Sequence, residues 1–180
     1  MQPEFVASIR VFLLLGMIGW PSIVAAEPKT GSATQERPPP LVSPCDQPAA
    51  LAVQKAWAKS LGKRTIVDKN SIGMDLVLIP PGSFAMGSPP QERDGNGSED
   101  QVEVLLTKWY YLSKTEVTQR QWKAVMGTTP WKHHDDTRDG DDYPATGVSW
   151  DDARAFCKKL SLTESSAYRL PTEAEWEFAC

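Results

Sequence analysis

Residues Arg169–Cys180, RLPTEAEWEFAC, set the frame for this chain. Thr172 followed three residues later by Glu175 has the form of a capping box: the threonine oxygen accepts from a free first-turn amide, and the glutamate reaches back to the threonine N–H. Pro171 stands just before the cap, and Glu173, Glu175 and Glu177 put negative charge near the positive end of the helix dipole. The stretch predicts a helix opening after Thr172. It carries no glycine, asparagine or basic last turn to mark a natural end. The expectation is that Trp176 and Phe178 need packing partners in sequence beyond Cys180, and that the chain's last turn frays without them.

The same device recurs upstream. Thr118 and Gln121 make a capping box for a helix with Trp122, Val125 and Met126 on one face and Gly127 at its end. Ser149 and Asp152 open another, in which Ala153, Phe156, Cys157 and Leu160 repeat at helical spacing. Each cap is worth about 1 kcal/mol to its helix. Thr128–Pro144, TTPWKHHDDTRDGDDYP, reads as a polar, turn-rich loop between them. Further upstream, MDLVLI (74–79) and a short apolar return through Phe84 and Met86 predict two short strands around a turn at Pro80, Pro81 and Gly82. VEVLL (102–106) and WYYLSK (109–114) predict further strands, separated from the first pair by a polar loop over 89–101. The fold class is α+β, with a compact domain over 72–180.

Ahead of it, residues 46–71 read as an amphipathic helix and its connection. Asp46 caps, Pro48 is tolerated in the first turn, Val53, Trp57 and Leu61 share a face, and Gly62 closes. Residues 27–45 are rich in Pro, Ser and Thr and read as a flexible or extended linker. Residues 1–26 have the form of a secretory signal: Arg10 precedes the uncharged run VFLLLGMIGWPSIVAA, and Val24 and Ala26 are small residues placed for cleavage before Glu27. The alternative, an uncleaved anchor, requires about 20 apolar residues, and this run is shorter and broken by Gly16, Gly19 and Pro21. Export to the periplasm or outside the cell is the expectation, with no membrane span after cleavage.

With 23 acidic and 19 basic side chains the net charge is -4, which excludes a protein held chiefly by nucleic-acid phosphates. The three cysteines leave one unpaired in any disulfide scheme. Chemistry is harder to find. His133 and His134 stand beside Asp135, Asp136, Asp139, Asp141 and Asp142, but adjacent histidines rarely converge on one ion and no HExxH or CxxC spacing supports them, so a solvated loop is the plainer reading. An EF-hand fails at its twelfth position, which falls on Thr146. Asn96–Ser98 fits a glycosylation acceptor. No Ser-His-Asp set, Cys-His set or phosphate-cradling glycine loop is specified locally.

Taken in order, LIPPGSFAMGS, KTEVTQRQW, YPATGVSWDDARAFC and YRLPTEAEWEFAC resemble the sulfatase-modifying-factor family, whose namesake is the formylglycine-generating enzyme. The resemblance covers about Ile72 to Cys180; Ala145 stands where the family more often has valine. It implies a C-type-lectin-like fold, here truncated to its N-terminal part, and an oxidation of a cysteine in the C-x-P-x-R motif of sulfatases to formylglycine. Complete members use copper held by two cysteines, and calcium; those copper cysteines lie in the second half of the domain, so no catalytic, cofactor-binding or metal residue carries over to this chain. By position, Cys157 and Cys180 resemble structural cysteines that in some exported members each bridge to the C-terminal half. The implied partner is a sulfatase or another exported protein. A non-catalytic lectin-like binding or accessory module is the other function class the motifs allow.

Overall fold

The computed structural model describes residues 14–16, 37–88, 101–133 and 137–180. The chain is mixed α+β, and the described residues divide into two compact units: 14–16, 67–77 and 111–172 form one, and 37–66, 78–110 and 173–180 the other. Most of the expected signal peptide, residues 27–36 of the expected linker, the Asn96–Ser98 acceptor and residues 134–136 lie outside the described residues.

The first unit is built on a five-stranded sheet. Its strands are β1 (Leu14–Gly16), β3 (Val67–Lys69), β4 (Asp75–Ile79), β7 (Tyr110–Ser113) and β8 (Ala167–Arg169), in the order β3-β4-β7-β1-β8. β3 lies antiparallel to β4 with Asp68 opposite Leu76, so residues ahead of Ile72 also belong to this sheet. Leu15 of β1 is opposite Tyr111 on one side and Tyr168 on the other. Two helices accompany this sheet, α2 (Gln119–Met126) and α3 (Trp150–Glu164).

Both helices start where their caps predict. Thr118 Oγ1 accepts from Gln121 N at 3.3 Å while Gln121 Oε1 accepts from Thr118 N at 2.9 Å. Ser149 and Asp152 make the same reciprocal pair at 3.2 and 3.1 Å. Gly127 ends α2 at φ 76°, a left-handed conformation that costs glycine nothing. The core of this unit is Trp122 against Phe156, stacked at 5.2 Å between ring centroids. Ala153, Cys157 and Leu160 of α3 are buried with them, as the helical spacing requires, and so is Val117, just ahead of the α2 cap.

The second unit carries α1 (Gln47–Ser60), β2 (Leu41–Val42), β5 (Gly82–Met86), β6 (Val102–Leu106) and α4 (Glu173–Ala179). β2, β5 and β6 form a three-stranded sheet in that order, so the two strands expected on either side of the turn are present as β4 and β5 and each joins a different sheet. The end of the expected linker is fastened: Leu41 N donates to Pro81 O at 2.8 Å, Ser43 N to Ser83 O at 2.9 Å, and the indole of Trp57 to Pro39 O at 2.9 Å. α1 begins at its Asp46 cap, which accepts from Ala49 N at 2.8 Å, and Gly62 follows the helix at φ 69°.

α4 also corrects an expectation. Its Phe178 is buried against Phe84, ring centroids 5.4 Å apart, so part of its packing surface lies within this chain. Glu175 O accepts from the Tyr110 hydroxyl at 2.6 Å, and Glu177 Oε1 accepts from Gly87 N at 2.8 Å. These long-range bonds hold a helix too short to persist alone. Trp176 remains 43% exposed.

Candidate functional site

Sequence singled out the cysteines and the aspartate-rich loop, and the structure treats them differently. Cys157 sits on the buried face of α3 at 3% exposure, beside Ala153, Phe156 and Leu160 in the helical register. Burial pushes its thiol up to about 11. A protonated, enclosed sulfur is a poor nucleophile and a poor soft-metal ligand, because both roles require the thiolate. Cys45 and Cys180 are exposed, and all three thiols are free. Partial burial and the neighbouring Glu177 carboxylate raise the Cys180 thiol as well. Cys157, enclosed and protonated, therefore does not fit the two-thiolate copper environment that the resemblance implies for complete members.

The burial of Cys157 has a measurable consequence. The folded thiol titrates near 11 against an ordinary value of 9.0, so on raising the pH the unfolded chain releases its proton first. The contribution to stability is whole below about pH 9 and falls between 9 and 11 by up to about 1.4 kcal/mol per pH unit. Cys157→Ala removes it. Urea titrations of both proteins from pH 8 to 11 should show the stability difference narrowing across that range; a flat difference would contradict a buried thiol.

The loop over 127–149 is fastened to the start of α2. Gln119, 3% exposed, donates from Nε2 to Arg138 O at 2.7 Å and Pro144 O at 3.3 Å, and its Oε1 accepts from Gly140 N at 3.0 Å. The short 3₁₀ helix Pro130–His133 buries Trp131, whose indole donates to Asp139 Oδ1 at 3.1 Å. That hydrogen bond, with Lys132 Nζ 3.4 Å from the other carboxylate oxygen, holds the Asp139 carboxyl below its ordinary value. Asp142 pairs with Arg120 at 3.1 Å. Asp139 and Asp142 thus serve the loop's own architecture, and among the described residues no three His, Cys, Asp or Glu side chains gather into a group. The His133 side chain and His134, Asp135 and Asp136 lie outside the described residues.

Sequence reasoning missed a polar cluster in the first unit. Glu164 accepts from the hydroxyls of Tyr168 and Ser71 and from Ser71 N, the last at 3.0 Å. Asn70 Nδ2 donates to the Tyr168 hydroxyl at 3.3 Å, and Asn70 Oδ1 accepts from Met74 N at 2.8 Å. Burial and the Glu164 carboxylate push the Tyr168 phenol well above its ordinary value, so it stays a proton donor that joins the β3–β4 turn to the end of α3. Asn70 and Tyr168 are distant in sequence, and no local pattern announces their meeting.

Fold and site together define a small mixed α+β domain whose polar clusters are structural among the described residues. The chain belongs to the sulfatase-modifying factor enzyme 1-like domain family, whose profile it matches over residues 63–180. It is 29% identical over 164 residues to a chaperone protein LppX of Paenibacillus barcinonensis, covering 73% of this chain and 51% of that protein. It is 27% identical over 155 residues to the inactive C-alpha-formylglycine-generating enzyme 2 of Bos taurus, covering 61% and 50%. Against the formylglycine-generating enzyme of Bos taurus it is 38% identical over 63 residues, covering 33% and 15%. The chain thus spans about half the length of the first two relatives. No solved structure gives a significant match.

Proposed function

We propose that this chain is the N-terminal part of an exported, C-type-lectin-like domain of the formylglycine-generating type, and that by itself it does not convert cysteine to formylglycine. The supporting observation is the state of the thiols: Cys157 is enclosed and held protonated, and Cys45 and Cys180 are free and exposed. The activity named for the family would oxidise a C-x-P-x-R cysteine of a sulfatase to an aldehyde with oxygen and copper. Its ligands must come from sequence other than these residues, with Cys157 and Cys180 in structural roles. Incubating the purified chain with copper, oxygen and a C-x-P-x-R peptide should give no aldehyde by mass spectrometry. Turnover by the chain alone would sink the proposal.

A second reading has its own support: two relatives carry the names of a chaperone and of an inactive enzyme. A non-catalytic accessory module accounts for a scaffold whose polar clusters are spent on its own loops. Co-expression with a sulfatase separates the readings, since an accessory module raises the yield of folded sulfatase without forming aldehyde.

Export bears on the sheet. Among the described residues no helix is long and apolar enough to cross a membrane. Cleavage before Glu27 would remove β1 and leave facing edges on β7 and β8, which an added strand would have to fill. N-terminal sequencing of the secreted product should begin at Glu27. A mature protein that still begins at Met1 refutes cleavage and keeps β1 in place.

A further inference from the structure

The second unit contains a cavity of about 480 Å³ at the C-terminal end of α1, within the size range of small-molecule sites. Its floor is apolar, made by buried Ala58 and half-buried Ile66. Lys55, Lys59, Lys63 and Arg64 stand around it, all exposed. The charge is concentrated here: from Gln47 to Val67 the sequence has no Asp or Glu, although the whole chain carries a net -4.

Two ordinary explanations do not suffice for Lys55, Lys59 and Arg64. Basic residues often serve a helix C-terminus by capping its last carbonyls. In α1 those of Trp57, Ala58 and Lys59 already accept from the backbone amides of Leu61, Lys63 and Gly62, and Lys55 stands a turn ahead of the last one. Surface cations also commonly pair with neighbouring acids. Among the described residues, Lys55, Lys59 and Arg64 make no ion pair.

We propose that this cleft binds a phosphate-bearing amphiphile, its head held by Lys55, Lys59 and Arg64 and its apolar body seated on Ala58 and Ile66. A phosphate presents several acceptor oxygens to several cations at once and suits the planar fork of Arg64. The lysine stems extend the apolar floor while their ammonium groups stay at the rim. Lys55, Ala58 and Lys59 precede the family match, which begins at residue 63, whereas Arg64 and Ile66 fall at its very start. The phosphate can belong to a free alkyl phosphate or to a phospholipid headgroup.

The test uses the full chain and two variants, Lys55→Gln/Lys59→Gln/Arg64→Gln and Ile66→Ser, with folding checked by circular dichroism. Calorimetry with hexyl phosphate should show binding to the wild type that the triple variant weakens at least tenfold. Ile66→Ser should weaken hexyl phosphate while leaving inorganic phosphate unchanged. Vesicles of phosphatidylglycerol and of phosphatidylcholine then identify the source: selective binding to phosphatidylglycerol, lost in the triple variant, assigns a lipid headgroup, and its absence assigns a free ligand. The apolar N-terminal run is common to all the proteins, so the comparison isolates the cleft. Absence of hexyl phosphate binding, equal binding by wild type and triple variant, or inorganic phosphate bound as tightly as hexyl phosphate would overturn the proposal.

Discussion

Replacing Trp122 by alanine is expected to lower the unfolding free energy by about 3 to 5 kcal/mol, a large share of the roughly 5 to 15 kcal/mol that holds a typical domain. Trp122 is 2% exposed and stacks on Phe156 at 5.2 Å, so its removal strips apolar contacts from both α2 and α3 and leaves a cavity that their backbones cannot close. The indole N–H also donates to Thr128 Oγ1 at 3.1 Å. Trp122→Phe keeps much of the stacking and loses the hydrogen bond to Thr128, whose exposed hydroxyl can turn to water, and should cost less than the alanine change. Urea unfolding followed by circular dichroism measures both. A loss under 1 kcal/mol for Trp122→Ala would mean that the α2–α3 contact is not the centre of this unit.

The second large effect comes from a single added methyl. At Gly82 a Cβ would lie 2.2 Å from Leu41 O and 2.4 Å from Phe178 Cζ. The first obstacle is backbone, so no side-chain rotation relieves it. β2 must move off β5, or β5 must shift with Phe178. Gly82→Ala is expected to destabilise by about 1 to 3 kcal/mol, the usual range for overpacking. Hydrogen exchange localises the damage, because the amides of Leu41 and Ser43 donate across this contact and should lose protection. A variant within 0.5 kcal/mol of wild type and with both amides still protected would show that β2 does not need the close approach.

The helices were legible because their determinants are local. A cap and the residue three positions on meet within one turn, so Thr118 with Gln121 and Ser149 with Asp152 announce α2 and α3 before any tertiary contact forms. The buried face of α3 followed from 3.6-residue spacing, and it placed Cys157 inward. The loop between the helices was read as polar and solvated, whereas the fold buries Trp131 and employs Asp139 as the acceptor for its indole. A tryptophan inside a run of charges was the available signal, since so large an apolar side chain is costly to leave in water.

The sequence by itself determined where the helices begin, which of their faces turn inward, and, through four ordered motifs, the family. Only the tertiary structure decided that β4 and β5 enter different sheets, that β2 closes on Gly82, that Glu164 joins Tyr168 to Ser71, and that four cations surround one cleft. The reason is range. Capping and helical periodicity act between residues a few positions apart and leave their trace in adjacent letters. Strand partners and polar clusters form between segments far apart in the chain, chosen by which surfaces can be buried together and which polar groups can be satisfied there.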